Sequence, residues 1–482
     1  MKRIISILAL CVCVVLSSCE KEPGGSGDSG YFTVTFDADG GEPVPAPQKV
    51  KKGEKAVEPE EKPERGSESF IGWYSASGLK FNFKSNPISK DITLKAHYWA
   101  GPKKYVVIND YDWSYLEQSV YNNFGSSTGK DVAVGQGVLI YIFQRSIDTF
   151  TDCIKKHCKL SEQYEVPLLF QLDPVTFWDS VPELWNWWDS SQTTYKESNR
   201  NNVEWYGWGN EYAVKIGWLN WGSQIRLKPM CNYFGPDYQP AVENRLKIFL
   251  GLIKEWYDSL PESKKYLLIG VKITGELGLG VNNWYYTGGN DLFDKSASND
   301  PKTGLNMYNK PSRSNGDIST IGYAALTYSG LKTSGTVTGQ DIADVEWKFT
   351  EFVSKIAKDY FPRELIFAHA GGVDNDLDAC CNDYVCPSWS FYGGDATNGE
   401  NATYCMQLLK ESDAPYWGVA EWAIDANTSP NGWADAMYSS LKLDRCRFLS
   451  AYTNIIGNNN GSEVNSNAVT GIKTLQNYTF DK

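Results

Sequence analysis

The sequence predicts an α/β protein, a (β/α)8 TIM-type barrel preceded by a small β module. Three observations carry that expectation. From Lys103 onward, short apolar runs alternate with amphipathic helical stretches, the pattern of parallel strands joined by crossovers. A doubly wound open sheet is the alternative, but no Gly-x-Gly-x-x-Gly, its main mark, follows the first of those runs. Residues 31–99 alternate with period two between turn residues and hold no helical period of useful length.

With 482 residues, the chain accommodates one large unit and one small one. It opens with Lys2 and Arg3, then an apolar run from Ile4 to Leu16, too short to span a bilayer but suited to a signal-peptide core. The run ends in Leu16-Ser17-Ser18-Cys19, which resembles a bacterial lipobox. That resemblance implies a signal peptide over 1–18, lipidation of Cys19, and a membrane partnership through the lipid anchor. Residues 19–30, with Glu20-Lys21-Glu22 followed by Gly and Ser, have no apolar side chain with which to pack and read as a flexible tether. The acidic stretch after Cys19 resembles the surface-export signals of Bacteroides-group lipoproteins. An outer-membrane, cell-surface location is the expectation, with other surface glycan-uptake proteins as neighbours.

The module at 31–99 begins with the strand-like Tyr31-Phe32-Thr33-Val34-Thr35-Phe36 and the turn Asp37-Ala38-Asp39-Gly40-Gly41. Phe70-Ile71-Gly72-Trp73-Tyr74 and Ile92-Thr93-Leu94-Lys95-Ala96-His97-Tyr98 follow as further strands. The Gly-Trp-Tyr and the closing Thr-Leu-Lys-Ala resemble the Listeria–Bacteroides repeat, also called the internalin B-repeat. The resemblance implies a β-grasp-like module that spaces or docks surface proteins and carries no chemistry.

The barrel is expected over 103–482, with strands at Tyr105–Asn109, Gly137–Ile142, Pro167–Leu172, Leu268–Thr274, Leu365–His369, Pro387–Tyr392, Tyr416–Trp422 and Arg447–Tyr452. Helical periods cover Ala241–Ser259, Asp344–Tyr360, Ala402–Ser412, Trp433–Asp444 and Asn467–Gln476. Two long insertions, 173–236 and 277–340, follow the third and fourth strands.

In such a barrel the chemistry gathers where strands end. Those positions hold Asp110, Gln144, Asp173, Glu276, His369, Tyr392 and Glu421. Glu276 and Glu421, each ending an apolar strand, form the pair that glycoside hydrolysis needs: one carboxyl protonates the departing oxygen while the other attacks the anomeric carbon or activates water. Carboxylates ending strands four and seven resemble the clan A glycoside hydrolases. That resemblance implies Glu276 as acid/base and Glu421 as nucleophile, with Tyr392 near the nucleophile. One departure is Gly275, where that clan usually has Asn before the acid/base. Gly275-Glu276-Leu277 also resembles the inverting β-amylases, which leaves retention less secure than hydrolysis.

The 18 Trp, 29 Tyr and 20 Phe exceed ordinary core needs, and flat rings pack on the C–H faces of sugars. Trp178, Trp284 and Trp422 are the expected site rings, since each adjoins a strand end or a named carboxylate; Tyr285 and Asn282 complete the expected carbohydrate-binding set. A catalytically inactive surface glycan-binding lipoprotein is the alternative. A net charge of −12 repels phosphate backbones, so nucleic acid is not an expected partner. With three histidines and no His-Glu-x-x-His, no metal is expected, and no motif calls for a cofactor.

Overall fold

The computed structural model describes residues 30–66, 68–76, 81–99, 101–109, 114–127, 130–220, 224–227, 229–279, 283–294, 316, 318–370, 377–452, 455–456 and 464–480. The chain divides into two compact units, Met1–Trp99 and Ala100–Lys482. The signal segment, the tether to residue 29 and Cys19 lie outside the described residues, as do Asp110 and Asn282.

In the first unit, β1 (Tyr31–Asp37), β2 (Gln48–Lys51), β3 (Ser69–Tyr74) and β4 (Ile92–Trp99) form one sheet of order β2-β1-β4-β3. The central pair β1 and β4 is parallel and the outer pairs are antiparallel. Period-two alternation along β1 places Val34 and Phe36 on the same face, where they pack with Val50, Trp73, Leu94 and Ala96. The turn after β1 is made by Asp39 and Gly40, both in the left-handed region, with φ of +49° and +84°.

The second unit is built on eight strands. They are β5 (Lys104–Asn109), β6 (Val132–Tyr141), β7 (Leu168–Asp173), then, past β8 (Gly217–Asn220) and β9 (Gln224–Leu227), β10 (Leu268–Lys272). Beyond β11 (Asn283–Tyr286) and β12 (Ile318–Ser319) come β13 (Ile366–Ala370), β14 (Cys386–Tyr392), β15 (Trp417–Ala423) and β16 (Cys446–Ala451). Eight of these close a barrel in the order β5-β6-β7-β10-β13-β14-β15-β16, and every neighbouring pair is parallel, including β16 with β5. The unit is a (β/α)8 barrel.

Each expected strand is present, with one bound shifted by more than two residues. β6 begins at Val132 rather than Gly137 because Gly135, Gln136 and Gly137 interrupt the apolar run. The glycines are there for room: a Cβ on Gly135 would stand 2.5 Å from the Pro167 carbonyl oxygen, and one on Gly137 2.6 Å from Asn109 Oδ1.

The helices are α1 (Glu117–Phe124), α2 (Ile147–Tyr164), α3 (Pro182–Trp185), α4 (Tyr238–Ser259), α5 (Tyr323–Ser329), α6 (Gly339–Ala357), α7 (Gly393–Thr397), α8 (Thr403–Glu411), α9 (Pro430–Leu441) and α10 (Ser466–Leu475). In α4, Val242, Leu246, Phe249, Ile253 and Trp256 recur at three- and four-residue steps and are buried. Thr338 and Asp341 start α6 with a reciprocal capping box. No helix among the described residues is long and apolar enough to cross a membrane.

The two insertions join one another. β12, β11, β8 and β9 form a second, antiparallel sheet in that order, with Trp218 opposite Trp284, and its core is Ile216, Trp218, Trp284 and Tyr286. Glu204 of the first insertion ties in the second: its carboxylate accepts from the backbone N–H of Gly322, Ala324 and Ala325 at 2.9, 3.2 and 3.1 Å. Burial pushes that carboxyl up to about 8 against the pull of those donors and of Trp205 N–H.

Candidate active site

Four neighbouring barrel strands each send one polar side chain into the interior. Lys272 ends β10 in an otherwise apolar strand, Leu-Ile-Gly-Val-Lys, and is 3% exposed. Its Nζ lies 3.4 Å from Nδ1 of the buried His369 on β13. His369 Nε2 lies 2.8 Å from Oγ of Ser390 on β14, and that hydroxyl donates a long, 3.5 Å hydrogen bond to Oε2 of Glu421 on β15. Tyr392, at the end of β14, donates its hydroxyl to the same Oε2. A bulge serves this arrangement. Val419 pairs with Trp389 but Glu421 pairs with Ser390, so Ala420 is an extra residue on β15 that sets the carboxylate opposite the serine.

Glu276 lies four residues beyond β10 and is half-buried; the next residue, Leu277, bridges in parallel to Ala370 at the end of β13. Asp173 ends β7, is 4% exposed, and accepts from Val175 N and Thr176 N at 2.8 and 3.0 Å, so the turn after the strand fixes its carboxylate. Glu421, Asp173 and Glu276 all act on the Lys272 ammonium, raising its pKa; burial is larger, and the net shift is downward. His369 is held well below the usual imidazole value by burial and by the Lys272 charge, so it is neutral at pH 7.

Gly275 explains its own presence. A Cβ there would stand 2.2 Å from Asp173 Oδ2. Since the Asp173 carboxylate is pinned by its turn, Gly275→Ala is expected to displace it and cost about 1–3 kcal/mol of stability. Thermal denaturation beside the wild type checks this, and an unchanged Tm would contradict the close approach.

Of the residues expected at the site, Glu276, Glu421, Asp173, His369 and Tyr392 come together around the Lys272 ammonium and the Glu421 carboxylate. The tryptophans do not join them. Trp422 follows Glu421 on the strand and therefore points to the opposite face, where its Nε1 donates to Ala396 O and its ring meets Trp433 of α9. Trp178 is 4% exposed, donates to Pro229 O and packs edge-on against Tyr238. Trp284 belongs to the core of the insertion sheet, and Tyr285 is buried with its ring stacked on Tyr206 at 4.3 Å. All four rings are taken up by packing: Trp422 through strand alternation, Trp284 and Tyr285 through the union of the two insertions, and Trp178 against Tyr238 of α4. Phe177, 43% exposed beyond β7 and with φ at +59°, offers the open ring that Trp178 does not.

Lys272 and Ser390 join the site without having been expected there. A lone charge inside an apolar parallel strand is the signal that identifies Lys272, because a lysine is seldom fully buried without partners. Ser390 carries no comparable mark. Among the described residues, no group of three or more His, Cys, Asp or Glu gathers as metal ligands would, and Cys153, Cys158, Cys231, Cys380, Cys381, Cys386, Cys405 and Cys446 are free thiols.

Comparison with solved structures finds similar chains among glycoside hydrolases. A β-galactosidase from the psychrophilic Marinomonas ef1 is 9% identical with a TM-score of 0.43, covering 77% of this chain and 58% of its own. A β-galactosidase from Bacillus circulans sp. alkalophilus is 10% identical with a TM-score of 0.38, covering 73% and 50%. This chain thus spans about half the length of those two proteins. GH5_18 from Streptomyces cattleya, solved in complex with GlcNAc, is 8% identical with a TM-score of 0.41, covering 78% and 79%. No curated protein matches the sequence. Residues 32–97 match the family model described as Flg_new, Listeria-Bacteroides repeat domain, so the N-terminal sheet is a repeat of that type set before a (β/α)8 barrel.

Proposed function

We propose that the barrel is a glycoside hydrolase acting on a polysaccharide or glycan, with Glu276 as acid/base and Glu421 as nucleophile. The observation that carries this reading is geometric: Tyr392 and Ser390 hold the Glu421 carboxylate, and the segment bearing Glu276 is tied to the end of β13 on both sides, through Thr274 and Leu277. Glu276 protonates the glycosidic oxygen as the bond breaks, and Glu421 attacks the anomeric carbon to form a glycosyl ester. Glu276, now a base, takes a proton from the water that hydrolyses that ester. Fixing the nucleophile beforehand lowers the barrier, because a reacting group already in place needs no ordering during reaction.

With Glu276 protonated as the acid, the Asp173 and Glu421 carboxylates outweigh the one Lys272 ammonium and leave the site negative, which favours neutral glycans over uronic-acid or sulfated ones. Exposed rings at Phe177 and Tyr392 are suited to stacking on sugar faces. The test is the product profile from a panel of plant, fungal and host glycans, with Glu276→Gln as control. Release of oligosaccharides by the wild type alone supports the reading, and release by neither protein overturns it.

The lipobox-like segment supports a lipid-anchored, surface-exposed protein whose repeat module spaces the barrel from the membrane. Replacing Cys19 by Ala is expected to move the protein from the membrane pellet to the soluble fraction. Unchanged partitioning into detergent would refute the anchor.

A further inference from the structure

We propose that Lys272, His369 and Ser390 form a positioning chain that crosses β10, β13 and β14 and orients the Glu421 carboxylate on β15. The inference rests on the hydrolase reading for its purpose, but not for its existence. Each contact is compatible with one proton arrangement. The ammonium has only donors, so it donates to the Nδ1 lone pair of His369 at 3.4 Å. A neutral imidazole then carries its proton on Nε2 and donates to Ser390 Oγ at 2.8 Å. The serine hydroxyl is left to donate to Glu421 Oε2 at 3.5 Å, beside the hydroxyl of Tyr392. All donors point toward Glu421, and the arrangement defines a single histidine tautomer.

The backbone supports the chain. His369 N–H donates to Thr274 Oγ1 at 2.7 Å, and that hydroxyl returns a 3.3 Å hydrogen bond to His369 O, which ties β13 to the segment between Lys272 and Glu276. The groups facing Lys272 from the surrounding strands are Asp173 from β7, Glu276 beyond β10, His369 from β13 and Glu421 from β15. A buried ammonium is costly, and an apolar side chain of similar volume would serve packing as well or better. Its presence in Leu-Ile-Gly-Val-Lys is accounted for by an electrostatic task, the fixing of His369 as a one-way donor to Ser390.

The experiment combines histidine ring 15N NMR of the full chain with kinetics. The chain has three histidines, and the His369 signals are assigned by their loss in His369→Asn. The expected wild-type spectrum shows a neutral Nε2–H tautomer from about pH 5 to 8, where a free imidazole would titrate. Lys272→Met should move the His369 titration upward, toward the usual value near 6.5. On a glycan the wild type cleaves, Lys272→Met and Ser390→Ala should lower kcat by about 10²-fold with KM little changed, as expected for a misaimed reacting group. Ser390→Thr, which keeps the hydroxyl, should recover most of that loss.

An Nδ1–H tautomer or an imidazolium at pH 7 in the wild type overturns the proposal. So does unchanged kcat in Lys272→Met and Ser390→Ala when Glu421→Gln is inactive. If Lys272→Met does not fold, the wild-type spectrum and the Ser390 pair still decide. If the wild type cleaves no glycan, the hydrolase reading fails, while the tautomer and its response to Lys272→Met decide the chain on their own.

Discussion

Replacing Glu421 by Gln is expected to lower kcat by about 10⁴-fold on any glycan that the wild-type protein cleaves, because a carboxamide cannot form the glycosyl ester. The shape of the site should persist. A Gln oxygen can still accept from Tyr392 and Ser390, which both donate to one oxygen of the native carboxylate. Lys272 loses one opposing charge but keeps Asp173, so the stability change should stay at about 1 kcal/mol. Circular dichroism and Tm verify the fold, and initial rates measure the loss. Activity within tenfold of wild type would remove Glu421 from the chemistry.

Glu276→Gln should behave differently, and the difference identifies its role. A general acid is needed in proportion to the basicity of the departing oxygen. On native glycans, whose leaving group is an alcohol, the loss should be about 10³-fold. On aryl glycosides of acidic phenols, which depart as stable anions, bond cleavage should fall far less and a slow second step should accumulate the glycosyl ester. Rates across a series of phenols of rising pKa test this, as the variant should show a steeper dependence than the wild type. Equal loss on every leaving group would contradict the assignment of Glu276 as acid.

Much of this site is legible in the sequence because barrel geometry converts strand ends into a ring. Asp173, Glu276, His369, Tyr392 and Glu421 lie far apart along the chain, yet each ends or follows an apolar run, and strand closure brings those ends to one rim. The aromatic rings mislead for a physical reason. Sequence adjacency to a carboxylate suggests nearness to the site, but along a strand adjacent side chains face opposite ways, which sends Trp422 outward to α9 while Glu421 faces in. Trp284 misleads through another cause. Its partner Trp218 lies in a separate insertion, and no local pattern reveals that two insertions share a sheet. Lys272 stands in plain view as a charge in an apolar strand, but only the closed barrel brings three carboxylates to it. Ser390 depends on the extra residue at Ala420, a register shift that periodicity cannot supply.

The most direct test of the two-glutamate account is the configuration of the first product, read by proton NMR of the anomeric region during the opening minutes of hydrolysis, before mutarotation mixes the anomers. The account predicts that the released sugar initially keeps the anomeric configuration of the substrate, since displacement by Glu421 and then by water inverts the centre twice. First appearance of the opposite anomer would contradict it, because water would then have attacked directly and Glu421 could not have been the nucleophile.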